Sequence, residues 1–161
     1  MQIQNATLGD IPEIEKIYEA ARTYMREQGN MHQWAGGYPS REIIENDITK
    51  GNLYKVTDEQ GIVAVFCYFE GIDPTYNKIY GGEWLNSEPY GVIHRIAVAK
   101  HRVGVASLCF EYCFNRCGNL KIDTHRDNIP MRKSLAKNGF TECGIIYLES
   151  GDERIAFQRS R

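Results

Sequence analysis

The apolar positions along the chain follow two different periodicities. Apolar residues spaced three and four apart predict helices over residues 10–29 and 40–51, from residue 105 onwards, and over 127–139. Short alternating or continuous apolar runs predict strands over 2–7, 53–57, 62–70, 92–98, 119–125, 141–148 and 154–159. The order β-α-α-β-β-β-α-β-α-β-β predicts an α/β fold whose mixed sheet has helices on both faces.

Residues with helix-capping chemistry stand where the predicted helices begin. Asp10 is predicted to cap the first helix, with Glu13 three residues later in a capping-box arrangement. Ser40 is predicted to cap the second helix, and Gly51 to end it. The helix that starts at residue 105 is predicted to bury one apolar side, which consists of Val105, Leu108, Cys109, Tyr112 and Cys113.

A long connection, residues 71–89, joins the third and fourth predicted strands. It contains three aromatic residues, Tyr76, Tyr80 and Trp84. Connections of this length in a compact domain are usually functional or flexible. The pattern therefore predicts a segment that is either functional or flexible.

Composition narrows the class of protein. The chain has 161 residues, of which 42% are hydrophobic and 25% charged, as is typical of one globular domain over residues 1–161. The net charge of −2 provides no field that favours nucleic acid, so we expect no nucleic-acid partner. No apolar stretch is long enough to span a membrane and no secretion signal is present, so we expect a cytoplasmic monomer or homodimer without membrane association.

The cysteines favour free thiols over a metal site. The chain has five of them, an odd number, without a Cys-x-x-Cys pair. Cys109, Cys113 and Cys117 fall on one side of the predicted central helix, but no second pair of ligands accompanies them. We therefore expect thiols in a reducing compartment and no bound metal.

The segment from Val92 to Arg116 combines a buried strand, a small-residue turn and a helix. The first N–H groups of a helix have no partner inside it, and the helix dipole makes that end positive. Gly104 lets the backbone approach a ligand, and Arg102 with Lys100 adds positive charge. The pattern predicts a site for pyrophosphate. The segment lacks the Gly-Lys-Ser/Thr ending of a Walker loop and the three spaced glycines of a dinucleotide-binding site. On this stretch alone, an ordinary tight turn into a helix remains the alternative.

Two motifs resemble those of the GNAT superfamily of N-acetyltransferases. The first, His101-Arg102-Val103-Gly104-Val105-Ala106, is similar to the acyl-CoA motif Gln/Arg-x-x-Gly-x-Gly/Ala, with His at its first position. The second, Asn128 to Phe140, is similar to the family's Asn…Leu-Tyr-x-x-x-Gly-Phe segment. Their order and spacing fit the family, and the resemblance covers nearly the whole chain apart from the middle insert.

The resemblance implies the fold and the co-substrate. The fold is a mixed, mostly antiparallel sheet with a splayed parallel pair of strands, 92–98 and 119–125, and acetyl-CoA lies in the gap between them. Pyrophosphate contacts then come from Arg102, Val103, Gly104, Val105, Ala106 and Ser107. The strand segment Ile96, Ala97 and Val98 pairs with the pantetheine arm, and Asn128 bonds its far end.

The resemblance also implies the reaction, transfer of an acetyl group to a primary amine of a small molecule or peptide by direct attack. His94 is the first candidate for the general base, with a core histidine as its alternative, and Glu70 is the second. Leu135 stands where many family members have a tyrosine acid. The acceptor pocket is expected to be walled by His32, Trp34, Tyr38 and Tyr147. A non-catalytic module that binds or senses acyl-CoA is the alternative function.

Overall fold

The computed structural model describes residues 1–99 and 102–161. Within these ranges the elements follow the predicted order. The strands are β1 (Gln2–Asn5), β2 (Leu53–Asp58), β3 (Gly61–Glu70), β4 (Gly91–Val98), β5 (Asn119–Thr124), β6 (Thr141–Tyr147) and β7 (Glu153–Ser160). The α-helices are α1 (Ile11–Glu27), α2 (Arg41–Thr49), α3 (Val105–Cys117) and α4 (Ile129–Lys137).

The strands form one sheet in the order β1-β2-β3-β4-β5-β7-β6. The pairs β1–β2, β2–β3, β5–β7 and β6–β7 are antiparallel. The pair β4–β5 is parallel, and its ladder joins Gly91 to Leu120 and Val92 to Lys121, at the amino ends of both strands. The predicted class, a mixed and mostly antiparallel sheet with one parallel pair, is confirmed.

The chain divides into two compact units. The first comprises residues 1–68 and 94–106, and the second comprises residues 69–93 and 107–161. In the first unit, α1 buries one helical face, which consists of Ile11, Ile14, Ile17 and Tyr18. Ile44 of α2 and the residues Leu53, Val56, Val63 and Val65 of β2 and β3 are also buried.

The second unit has a core on each face of its strands. On one face Val92, Ile146 and Ala156 pack with Tyr76 of the long connection. Elsewhere in the unit Phe110 of α3 meets Phe140, with ring centroids 5.3 Å apart in an edge-to-face arrangement. Residues of β5 that point in opposite directions, such as Leu120 and Lys121, are therefore both buried.

The cap of α1 differs from the prediction. The side chain of Asp10 makes no cap hydrogen bond to α1, and the predicted Asp10–Glu13 box is wrong. A 3-10 turn over Leu8–Asp10 precedes α1, so the capping box forms one turn earlier, where Asp10 Oδ2 accepts from Thr7 N at 2.8 Å. Glu13 instead accepts from the N–H of Ile62 at 3.2 Å.

Two further predictions concern helices α2 and α3. The predicted Ser40 cap is confirmed, because its Oγ accepts from Ile43 N at 3.3 Å. The predicted burial of Leu108 is wrong, since that side chain is 39% exposed while Phe110 is fully buried. The buried side of α3 is therefore rotated toward Cys109, Phe110 and Cys113.

The long connection, residues 71–90, is fixed to the sheet of the second unit at several points. Tyr80 forms an antiparallel bridge with Ile145 of β6. The N–H of Leu85 donates to Gln158 Oε1 at 2.8 Å. At Gly82 the backbone lies so close to β6 that a Cβ would collide with the carbonyl oxygen of Cys143.

We predict that Gly82→Ala lowers the free energy of unfolding by about 1–3 kcal/mol, the usual cost of overpacking. The added Cβ must displace backbone atoms of Cys143, because no flexible side chain lies between them. Gly9→Ala is the control, since the nearest atom to a Cβ there is Thr7 Oγ1 at 3.7 Å. Urea denaturation measures both, and equal stabilities of the two variants would contradict the close approach.

Candidate functional site

The turn before α3 depends on the backbone conformation of Gly104. Gly104 has φ of 84°, in the left-handed region that a residue with a Cβ rarely adopts. A Cβ placed there would meet no atom within 4 Å, and the neighbouring Val103 is 93% exposed. The glycine is therefore required by its conformation, and the space in front of the first turn of α3 is open.

The side chain of Arg102, just before Gly104, already forms polar contacts within the first unit. Its guanidinium pairs with the carboxylate of Asp58, and Nη2 donates to Gln60 Oε1 at 3.4 Å. The side chain is thus directed at the turn between β2 and β3. Two residues of the prediction lie outside the described ranges: Lys100, which is expected to add positive charge, and His101, the first position of the motif.

Strand β4 changes conformation at Arg95. This residue has φ of 51° inside a strand, which is uncommon for a residue other than glycine. The hydroxyl of Tyr18 donates to the Arg95 carbonyl at 2.9 Å and holds the kink. His94, directly before it, is half-buried, and Ile96 and Ala97 after it are buried.

The side chain of Arg95 is the centre of a buried polar cluster in the first unit, which we call the Arg95 cluster. Its Nε and Nη2 donate to the two carboxylate oxygens of Asp47, each at 2.7 Å. Nη1 donates to the hydroxyl of Tyr38 at 3.0 Å, and Nη2 approaches Cys67 Sγ at 3.5 Å. Only 17% of the Arg95 side chain and 6% of the Asp47 side chain are exposed, so the pair is largely desolvated.

Protonation states in the Arg95 cluster follow from its burial. Burial lowers the pKa of the Arg95 guanidinium, but the hydrogen bonds to Asp47 and the electrostatic effects of Cys67, Tyr38 and Asp47 together outweigh it, so the pKa lies above its ordinary value. Burial raises the pKa of the Cys67 thiol to about 12 and the pKa of the Tyr18 hydroxyl well above its usual range. The cluster therefore holds one ion pair surrounded by neutral donors and acceptors.

Two of the predicted wall residues lie beside this cluster. The ring of Trp34 meets that of Tyr18 edge to face, with centroids 5.5 Å apart. The ring of Tyr38 is tilted against that of Trp34, with centroids 6.3 Å apart. Trp34 has φ of 57°, and with Arg95 it is one of two non-glycine residues of positive φ among residues 1–99 and 102–161. Strained backbone of this kind concentrates at functional sites. His32, a third predicted wall residue, is exposed.

Four further predicted site residues, Glu70, Ser107, Asn128 and Tyr147, belong to the second unit. Asn128 is buried and caps α4, with Oδ1 accepting from Met131 N at 3.2 Å. Leu135 is fully buried in α4, and Ser107 is half-buried in the first turn of α3. Tyr147 is 45% exposed and packs edge to face on Tyr80 at 5.4 Å. Glu70 is exposed at the end of β3.

Two further structural features bear on the kind of site. Among the described residues, no group of three His, Cys, Asp or Glu side chains is placed to hold a metal ion. In the same part of the chain, no helix combines the length and the apolar character needed to cross a bilayer.

Comparison with known proteins addresses the fold. No family model matches the sequence, and no curated protein matches it. A GNAT-family acetyltransferase of Streptococcus agalactiae is 29% identical, with a TM-score of 0.92 over 99% of this chain and 95% of that one. The chain has the GNAT fold. The predicted resemblance to that superfamily is thereby confirmed.

Other GNAT structures share the fold at lower identity. The ribosomal-protein-alanine N-acetyltransferase of Brucella melitensis is 15% identical over the whole of both chains, with a TM-score of 0.63. A GNAT-like decarboxylase in complex with isobutyryl-CoA is 12% identical over 99% of both chains, with a TM-score of 0.69. The GNAT fold thus occurs with more than one reaction, and the fold by itself does not fix the chemistry.

The sequence alone did not identify Arg95, Asp47 and Cys67 as members of one cluster. An arginine inside the apolar run from Val92 to Val98 was a usable signal, because a buried guanidinium needs a carboxylate partner. Asp47 lies three residues after Ile44, on the buried side of α2. That spacing is consistent with a buried carboxylate, but only the fold brings it to Arg95.

We predict that Asp47→Asn lowers the free energy of unfolding by about 3–5 kcal/mol, because it leaves the Arg95 charge buried without its counter-ion. The control is Glu45→Gln on the same helix, whose carboxylate forms an exposed pair with Arg41 at 3.1 Å and contributes about 0.5 kcal/mol or less. Chemical denaturation of both variants tests this. A loss at Asp47 no larger than at Glu45 would show that the cluster contributes little.

Proposed function

We propose that the protein is an acetyl-CoA-dependent N-acetyltransferase that acts on a primary amine of a small molecule or a peptide. The observation that carries the proposal is the turn at Gly104, with its left-handed backbone and the open space before α3, in a GNAT fold. The GNAT-family acetyltransferase of Streptococcus agalactiae, 29% identical, supports the same reaction class. The five free thiols support a reducing cytoplasmic location.

The co-substrate is proposed from the chemistry of the turn. Backbone N–H groups at the start of α3 can donate several hydrogen bonds to phosphate oxygens. Because these groups are neutral, no charged side chain has to be buried to bind the phosphate. Residues 102–107 are the proposed contacts, and Ile96, Ala97 and Val98 of β4 are the proposed partners of the pantetheine arm. Arg102 is proposed to contact the pyrophosphate through its guanidinium, which the ion pair with Asp58 orients. Asn128 is proposed to contact the pantetheine arm while it also caps α4. Acetyl-CoA is the proposed donor, although the solved GNAT-like decarboxylase holds isobutyryl-CoA.

Starting from the ammonium, the transfer requires two protons to leave nitrogen and one C–S bond to break. After the first proton has left, the uncharged amine nitrogen attacks the thioester carbonyl. The adduct then loses its second N–H proton and the C–S bond breaks, so that the acetyl group ends on nitrogen and the released proton can neutralise the CoA thiolate. The proton of the ammonium must go to a base, for which His94 is the first candidate because it is half-buried beside the Arg95 kink. Glu70 is the second candidate, and a structural role for His94 is the alternative.

The acceptor is proposed to contact the aromatic side of the first unit. Trp34 and Tyr38 offer ring faces next to the Arg95 cluster, and exposed His32 lies two residues before Trp34. A wall of this kind suits the alkyl or aryl body of an amine. Tyr147 is proposed as a further contact from the second unit.

A second candidate function is a module that binds or senses acyl-CoA without turnover. The observation that favours it is Leu135, an apolar and fully buried residue where many GNAT members have a tyrosine acid. A panel of primary amines assayed by release of free CoA thiol separates the two functions. Acetyl-CoA binding with turnover of one or more amines supports the enzyme, and binding without turnover of any amine supports the sensor.

We predict that Gly104→Asp weakens acetyl-CoA binding by at least about a hundredfold. A residue with a Cβ adopts a positive φ less readily than glycine, and the new carboxylate would repel phosphate oxygens from the N–H groups at the start of α3. Gly104→Asn is the matched control, since asparagine has the same shape without the charge and tolerates left-handed backbone. Calorimetry with acetyl-CoA measures both. A folded Gly104→Asp variant with unchanged affinity would exclude this turn as the phosphate site.

We predict that His94→Gln lowers turnover by roughly a hundredfold or more, the usual contribution of a general base, with little change in acetyl-CoA affinity. The pH profile of the rate should differ between the unsubstituted protein and the variant, because the substitution removes the proposed proton acceptor. His125→Gln is the control, because His125 Nδ1 accepts from Asp127 N at 3.0 Å in a turn. An unchanged rate and pH profile would make His94 structural and Glu70 the leading base.

A further inference from the structure

Lys121 of β5 is a buried lysine in the second unit. Its backbone pairs with Val92 on one side and Gln158 on the other. The residue is only 5% exposed, although lysine is almost never buried without a counter-ion. Its side chain points toward the 71–90 connection, which covers this face of the strands.

The ammonium of Lys121 is held between two aromatic rings. Its Nζ lies 4.1 Å from the ring centroid of Trp84 and 4.0 Å from that of Tyr90. Among the residues that the structure describes, no oxygen accepts a hydrogen bond from this ammonium and no carboxylate lies within ion-pair distance of it. The ring faces offset part of the desolvation, but they leave the three N–H donors without strong acceptors. Burial accordingly lowers the pKa of Lys121 below its ordinary value.

A pocket of about 540 Å³ opens onto this ammonium. Its volume falls in the range of small-molecule sites. Tyr76, Trp84 and Tyr90 supply aromatic walls, and Asn77, Asn86 and Ser87 supply polar groups. All of the residues that line it belong to the second unit.

Hydrogen bonds fix the pocket walls. Trp84 Nε1 donates to the carbonyl of Tyr76 at 2.8 Å, and the hydroxyl of Tyr76 donates to Asp123 Oδ2 at 2.6 Å. The hydroxyl of Tyr90 accepts from Asp73 N at 3.0 Å. Behind these rings, Asn119 Nδ2 donates to Asn86 Oδ1 at 3.1 Å. The rings are therefore held in place by contacts within the protein, so the site is largely formed before a ligand enters.

Charge at the pocket limits the ligand further. Glu70 and Glu88 also line the pocket, and both residues are exposed. An anion with several charges would meet these carboxylates on the way in, whereas a single carboxylate can reach the ammonium beyond them. The aromatic walls favour an apolar or aromatic body on the same molecule.

We propose that this pocket is a binding site for a small organic monocarboxylate, whose carboxylate accepts hydrogen bonds from Lys121 while its body lies between the aromatic walls. The site uses residues that the acetyl-CoA proposal leaves aside, apart from Glu70. It therefore stands independently of whether the protein is an N-acetyltransferase.

Benzoate and benzamide titrated into the full chain test the proposal, because the two probes share one shape and differ in charge. We expect saturable binding of benzoate that is about tenfold or more tighter than that of benzamide, the usual effect of a charge-assisted hydrogen bond. Lys121→Met should abolish this preference while keeping the apolar bulk of the side chain. Lys133→Met, the same change at an exposed lysine of α4, should keep it.

A second measurement applies even if Lys121→Met does not fold. In the unsubstituted protein, acetic anhydride labels lysines, and mass spectrometry reads the extent of labelling at each position. Benzoate, but not benzamide, should protect Lys121 and leave Lys133 unaffected. Equal affinities of the two probes, a preference that survives in folded Lys121→Met, or no protection of Lys121 at roughly 10 mM benzoate would each overturn the proposal.

Discussion

A guanidinium inside an apolar strand must find a carboxylate, and the first unit is built around that requirement. Arg95 meets Asp47 through two hydrogen bonds of 2.7 Å, in surroundings where either charge alone would be strongly unfavourable. The same side chain contacts Tyr38 and Cys67, and its backbone accepts from Tyr18. Residues from α1, α2, β3, β4 and the loop before α2 thus depend on one ion pair.

This ion pair also accounts for the backbone of β4. A residue with φ of 51° is costly in a strand, and it persists because side-chain and main-chain contacts determine its position together. The kink lies between His94, the candidate base, and the segment that leads to the Gly104 turn. Strained residues of this kind cluster at functional sites, so the kink marks this part of β4 as a candidate functional position.

The two units surround a buried positive charge with different groups. Arg95 donates to three oxygen atoms and approaches a thiol sulfur, whereas Lys121 has two aromatic rings and an open pocket. Pairing with a carboxylate stabilises a fixed geometry, while an ammonium without strong acceptors attracts a ligand that can supply them. The same physical cost therefore yields a structural element in one place and a candidate binding site in the other.

The sequence by itself determined the element order, the cap at Ser40 and the turn at Gly104, because these depend on residues a few positions apart. It also carried the two GNAT-like motifs. Only the tertiary structure decided the partners of Arg95, since Asp47 lies 48 residues away in the chain. The same holds for Lys121, an ordinary alternating polar position of a strand until the 71–90 connection covers it. Local periodicity encodes which residues form an element, but burial and ion pairing depend on what the fold places against it.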